Sequence, residues 1–393
     1  MSLHVLIAPS GFKESLDANQ VANCIATGIL QVIPDAEIET APLVDGGEGF
    51  TKALVEATRG TLHPVTVMGP VGKPVKAHFG FLGGKEQKTA IVEMASAAGL
   101  RLVPPEMRDP LLTTTYGVGE LIKAALDAGA KRILFGCGDS GTNDGGAGMA
   151  RSLGVKLLDA KDRELGLGGG KLIDLERIDL SQRDRRIETI EIDVACNWHN
   201  VLCGEKGVAR VFGPQKGASP ATVERMAAAL DRYAAVIKKD LGIDVGEIPG
   251  GGASGGLGAG LHALLGAKLH PRYEIVMEYL DLDSLLPRAD LVITAEGCID
   301  FQTPRGKIPA EVARRAKRYR LPVIAIAGTI GRDAPLNLEY GIDSFTSILE
   351  HPCPLSEAIA DAPELLTHAA ERVARLLLVG QQLNQGNKTN SVK

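Results

Sequence analysis

The sequence predicts an α/β protein of two α/β domains, one assembled from both chain ends and the other a large mixed insertion. Three observations carry this. At both ends of the chain, short β-branched runs alternate with helical patterns, as parallel strands joined by helical crossovers require. Residues 65–94 instead hold several strand-like runs separated by turns, with no helical spacing, which reads as an antiparallel section. The length of 393 residues also exceeds the roughly 250–300 at which a single core stops growing. The resulting boundaries place 1–65 with 288–380 in one domain, 66–287 in the other, and 381–393 in a polar, disordered tail.

HVLIA (4–8) reads as a buried strand, followed by an amphipathic helix over 18–33 with Asp17 as its N-cap. IETAPLV (38–44) is the next strand, then DGGEG and a helix over 50–58. Helical periodicity returns in GELIKAALDAG (119–129). Towards the C-terminus, 289–295, 321–328 and 343–348 are strands, accompanied by helices over 310–320 and 363–378.

Composition narrows the function classes. Aromatics are 4 % and glycines number 47, so small residues and tight turns do much of the building. A net charge of −5 argues against a nucleic-acid surface, and the basic tract RRAKRYR (314–320) suits the solvated face of a helix. Six cysteines without a C-x-x-C spacing read as reduced thiols, and no structural zinc is expected. No basic leader precedes the first strand and no apolar run reaches ~18 residues, so a cytoplasmic protein without membrane contact is expected; a homo-oligomer is compatible with the sequence.

Five stretches put Gly beside carboxylate, hydroxyl or Lys where parallel strands end, the edge at which such sheets bind ligands. They are APSGFKESL (8–16), VDGGEG (44–49), GCGDSGTNDGGAG (136–148), PGGGASGGLGAG (249–260) and TAEGCIDFQTPRGK (294–307). The third matches the G-x-G-x-x-G spelling of a dinucleotide turn, which would make the protein an NAD(P)-dependent oxidoreductase of a small hydroxy acid. Asp139 and Asp144 would then face a pyrophosphate with no cation to offset the repulsion. A tight turn with Asn and Asp in left-handed conformations is the plainer reading.

Phosphoryl transfer uses those acids better, because Mg²⁺ accompanies a nucleoside triphosphate and takes hard oxygen ligands. Ser140, Thr142 and Asn143 would then meet phosphate or substrate oxygens. The loop 249–260 would cradle phosphate at a helix start, and Lys13, Lys216 and Lys307 would neutralise charge. Asp45 with Glu48, and Glu296 with Asp300, supply carboxylates directly after strands. The sequence around RGK (305–307) is not a Walker A loop, since Phe301 stands where Gly is needed and Ile308 where Ser or Thr is.

Taken together, APSGFKESL, DGGEG, DPLLTTTYGVGELI (109–122), DSGTNDGGAGM, FGPQKGAS, PGGGASGGLGAGL and EGCIDFQTPRGKIP resemble the bacterial class I glycerate kinase family. The resemblance implies a flavodoxin-like domain made from both chain ends plus an inserted α/β domain. It implies ATP- and Mg²⁺-dependent phosphorylation of D-glycerate, mostly to 2-phosphoglycerate, in an interdomain cleft. It carries over Lys13, Asp45, Glu48, Asn143, Asp144, Lys216, Glu296, Asp300 and Lys307 as site residues, with Gly251, Gly252, Ser254, Gly255 and Gly256 approaching phosphate. On that reading Asp45, Asp144 or Asp300 takes the hydroxyl proton, Glu48 and Glu296 hold the metal, and Ser140, Asn143, Lys307 and Arg305 bind substrate. The chain departs from the family pattern at Cys298, where Arg is common, and at Asn197, where Asp is common; Arg305 is the candidate to compensate for the first. A sugar-acid sensor that kept the fold without catalysis is the remaining alternative.

Overall fold

A computed structural model describes residues 2–12, 15–44, 46–84 and 88–390, with side chains as far as Leu383. The chain forms two compact units, Met1–Val44 with Val276–Lys393, and Asp45–Ile275.

The first unit is built on a five-stranded, wholly parallel sheet. Its strands are His4–Ile7, Glu37–Thr40, Leu291–Ile299, Val323–Ile330 and Ser344–Ser347. Across the sheet they run 2-1-3-4-5 in that numbering, the flavodoxin-like order. Residues Leu291–Ala295 are buried, which is why this central strand reads as a continuous apolar run. Helix Ala18–Val32 opens on a capping box: Asp17 accepts the Gln20 N–H at 2.9 Å and Gln20 Oε1 accepts the Asp17 N–H at 2.9 Å. It packs against helix Ala362–Asn390 so closely that a Cβ on Gly28 would lie 2.2 Å from the Thr367 carbonyl. The basic tract lies on and just beyond helix Ile308–Arg318, where Arg314 pairs with Glu311 and Lys317 with Asp343.

The second unit carries a six-stranded mixed sheet. Strands Lys268–Pro271, Glu191–Cys196, Arg132–Gly136 and Thr89–Glu93 are parallel, and Pro74–Phe81 and Thr61–Met68 extend it antiparallel. The antiparallel section expected from 65–94 is there: Pro74–Phe81 pairs antiparallel with Thr61–Met68 on one side and with Thr89–Glu93 on the other.

The boundaries drawn from sequence need correction at both seams. Strand Thr61–Met68 pairs along all eight of its residues with Pro74–Phe81, and helix Phe50–Ala57 packs on that hairpin, where a Cβ on Gly80 would meet Val55 at 2.3 Å. Residues from 45 onward thus belong with the second unit. Residues 276–287 belong with the first, to which Asp283 is tied by Arg315 at 2.7 Å. The tail expected to be disordered from 381 instead continues the last helix to Asn390. Gln381, Gln382 and Leu383 are adequate helix formers and no Pro interrupts the run; residues 391–393 lie outside the described residues.

Candidate functional site

In the first unit the strand order reverses between His4–Ile7 and Leu291–Ile299, and ligands of such sheets sit beyond the carboxyl ends of the strands at that switch point. Ser10, just past the first of these strands, donates its N–H and its hydroxyl to the Ala295 carbonyl, at 2.8 and 3.0 Å. Immediately beyond lie Glu296, Asp300 and Lys307. Lys307 Nζ is 3.4 Å from Asp300 Oδ1 and 3.8 Å from Glu296 Oε1, and it donates to the Cys298 carbonyl at 3.4 Å. Asp300 Oδ1 also accepts the Gln302 N–H at 2.8 Å, and the Asn337 amide donates to the Asp300 carbonyl at 3.0 Å. All three charged side chains are only partly exposed.

Lys307 is also the N-cap of helix Ile308–Arg318, so an ammonium, helix N–H groups and two carboxylates meet in one place. Cys298 stands beside them, and burial pushes its thiol pKa up, reinforced by the Asp300 charge. Arg305 does not join the cluster: it is exposed, with its guanidinium 5.8 Å above the Phe301 ring. Lys13 and Asp45 lie outside the described residues.

The second unit gathers the loop 138–148 against three other loops. Lys216 is 2 % exposed and donates to Ser140 Oγ at 2.8 Å and to the Thr142 carbonyl at 2.6 Å. Burial lowers its pKa from 10.5 to about 7, opposed by the nearby Asp144 charge. Asp144, expected at a metal or a reacting hydroxyl, is 1 % exposed and already saturated. It accepts the Thr115 N–H at 2.8 Å, the Thr115 hydroxyl at 3.0 Å, and the N–H groups of Gly146 and Gly148 at 3.2 Å each. Desolvation raises its pKa against those donors. It is a tie holding the loop together, and no room is left for a substrate proton.

Asp139 takes a left-handed backbone (φ 50°) and accepts the Glu48 N–H at 2.8 Å, while the Glu48 carboxylate pairs with Arg101 at 2.8 Å. Glu48 and Glu296, expected as metal ligands, belong to different units. Among the described residues no group of three or more His, Cys, Asp or Glu is placed to hold a metal ion.

The glycines of 249–260 answer to packing. A Cβ on Gly255 (φ +72°) would lie 2.0 Å from the Thr142 carbonyl, one on Gly252 2.1 Å from the Val201 carbonyl, and one on Gly260 2.3 Å from the Gly145 carbonyl. Ser254, Gly255 and Gly256 are all left-handed, and Gly251, Gly252, Gly255 and Gly256 are buried. The loop lies backbone to backbone on 142–145 and fixes its shape.

Two partners went unsuspected in the sequence. Thr115 fixes Asp144 and accepts the Met149 N–H at 3.0 Å; three consecutive threonines before a helix were the available signal. Glu93, 1 % exposed, accepts the Thr51 and Gly49 N–H groups at 2.7 and 3.3 Å, capping helix Phe50–Ala57 from a neighbouring strand. Burial raises its pKa, and nothing local in IVEM announces that role. Thr115→Val keeps the shape but strands the Met149 N–H and removes a donor from Asp144. It should lower unfolding free energy by about 1–3 kcal/mol in urea titration.

A family model described as Glycerate kinase family matches residues 5–378. The chain belongs to the Glycerate kinase family. It is a phosphotransferase, and the dinucleotide-dependent alternative falls with that assignment. The chain is 46 % identical to the glycerate 2-kinase of Escherichia coli K12 over 97 % of its own length and 99 % of the relative's. It is 48 % identical to a glycerate kinase of Halalkalibacterium halodurans, over 94 % and 97 %. The crystal structure of a candidate glycerate kinase 2 from Salmonella typhimurium LT2 matches with a TM-score of 0.87 at 47 % identity, covering 97 % of this chain and 100 % of that one. No helix among the described residues is long and apolar enough to cross a membrane.

Proposed function

We propose that this protein transfers the γ-phosphoryl group of ATP to a hydroxyl of D-glycerate, giving 2-phosphoglycerate, with Mg²⁺. The observation that carries this is Lys307 set between Glu296 and Asp300 at the switch point of a parallel sheet. Phosphoryl transfer asks for positioning and charge neutralisation. Lys307 and the N–H groups of its helix suit the transferring phosphoryl group. Asp300, half-buried and held by Gln302 and Lys307, suits the hydroxyl proton.

The residues fit Mg²⁺ in the manner that ion prefers. It keeps waters and takes one or two carboxylates together with substrate phosphates, in place of an all-protein cage. Glu296 would supply such a carboxylate, and the ion would offset phosphate charge. The 46 % identity to a glycerate 2-kinase supports the acceptor and the hydroxyl chosen.

The purified protein should release ADP from ATP with D-glycerate present, lose that activity with EDTA and regain it with Mg²⁺. ³¹P NMR of the product should show the 2-phosphate. Turnover of another hydroxy acid in place of D-glycerate would overturn the substrate. Binding of D-glycerate without ADP release would favour the sensor reading.

A further inference from the structure

Asp300 follows directly on strand Leu291–Ile299, whose last paired residue is Ile299, opposite Ile330. Beyond that pair the sheet no longer fixes the backbone, so the place of the carboxylate depends on other bonds. They come from the segment 331–337. Gly331 donates its N–H to the Ile299 carbonyl at 2.8 Å, and Phe301 donates its N–H to the Arg332 carbonyl at 3.0 Å. Asn337 Nδ2 donates to the Asp300 carbonyl itself, at 3.0 Å.

Asn337 sits within the 3₁₀ helix Ala334–Tyr340 and is fully buried. Its second amide hydrogen goes to the Ala334 carbonyl at 2.8 Å, so both donors are committed and the amide has a single orientation. Its Oδ1 is buried with no partner among the described residues. An unsatisfied buried acceptor lowers stability, and an apolar side chain here would avoid that loss. What asparagine adds is the bond to the peptide that carries Asp300. The same carbonyl accepts the Thr303 N–H at 3.2 Å, and the Thr303 carbonyl accepts the Lys307 N–H at 3.2 Å. The Asn337 amide thus fills the second lone pair of the Asp300 carbonyl, in a turn whose far end delivers Lys307.

Gly331 sets the spacing. A Cβ there would lie 2.8 Å from Asp300 Cβ and 3.0 Å from Cys298 Sγ, so no side chain fits without moving the residue that bears the carboxylate. We propose that Asn337 and Gly331 are positioning residues for Asp300, the amide by anchoring its peptide and the glycine by leaving its Cβ room. This rests on the reading of Asp300 as the group that takes the hydroxyl proton.

The test is steady-state kinetics of the full-length protein, with Asn337→Ala and Gly331→Ala each made alone and together with Asp300→Asn. Assays run at a temperature where circular dichroism shows the variants folded. Each substitution alone should lower kcat roughly 10- to 100-fold, the loss expected when a reacting group moves by about 1 Å. KM for ATP and for D-glycerate should change less than about threefold, because binding contacts are kept. In the Asp300→Asn background the same substitutions should change kcat less than about threefold, since the group they position is gone. A merely structural residue would lower kcat by the same factor in both backgrounds, and that result overturns the proposal, as does an unchanged kcat in the native background. If Asn337→Ala does not fold, Gly331→Ala decides, because residue 331 is partly exposed and the added methyl leaves no cavity. If Asp300→Asn keeps kcat within about tenfold, the reading of Asp300 as the base fails and the proposal with it. If Asp300→Asn is impaired while Asn337→Ala and Gly331→Ala keep the native rate, the positioning role alone fails.

Discussion

Asp300→Asn should lower kcat by roughly 10²–10⁴-fold with a much smaller change in KM for either substrate, the size expected when a general base is removed. Asn has the shape of Asp and can still accept the Gln302 N–H through its oxygen, so the turn at 300–303 should persist. What Asn lacks is a basic oxygen. In the native protein Oδ1 is occupied by Gln302 and Lys307, while Oδ2 meets only the Cys298 thiol at 3.9 Å, too long and too weak to fill it. That leaves one lone-pair position open on a half-buried carboxylate beside an ammonium. Steady-state rates with saturating ATP, Mg²⁺ and glycerate measure the effect. If kcat stays within tenfold of wild type, Asp300 is not the base and the role passes to Asp45. Asp144→Asn is the contrasting variant: its carboxylate serves six donor contacts inside the fold, so it should show its loss first in stability.

The two ends of the chain were legible as one parallel unit because its central strands, His4–Ile7, Leu291–Ile299 and Val323–Ile330, are largely buried apolar runs and the crossover helices keep their apolar period. Asp17 read correctly as an N-cap because capping is local, decided within four residues. The seams were not legible. Thr61–Met68 has the alternation of any strand, and its membership in the second sheet depends on a hairpin partner that composition does not distinguish. Site residues divide the same way. Glu296, Asp300 and Lys307 lie within twelve residues of one strand end, and the chain folds them together. Lys216 could be suspected from its Gly-flanked setting, but its burial comes from 140–142, over seventy residues away. Asp144 was read as facing a ligand because an acid after a strand looks the same whether it points out or in. The donors that turn it inward come from Thr115, near thirty residues upstream. The glycines of 249–260 carried a true signal of close approach, and the approaching group is backbone.

Lys216→Met should change the pH dependence of folding more than its midpoint. In the native protein burial holds the Lys216 pKa near 7, against 10.5 for the ordinary group. Between those values the unfolded chain binds a proton that the native chain does not, so stability rises with pH across that window. Below pH 7 both states are protonated and the native state carries the full cost of a buried ammonium, on the order of 5 kcal/mol at most. Asp144 is the charge facing it and works to keep the proton on. Methionine fills similar volume without titrating, though it leaves Ser140 Oγ and the Thr142 carbonyl without their donor. Urea titrations of both proteins at pH 7 and pH 9.5 should therefore diverge, wild type gaining about 3 kcal/mol relative to the variant. Tyr233 and the buried thiols titrate in both proteins and cancel in the difference. Parallel behaviour would mean that Lys216 keeps its charge throughout, with the Asp144 carboxylate outweighing burial. The buried amine would then be a fixed cation at every working pH.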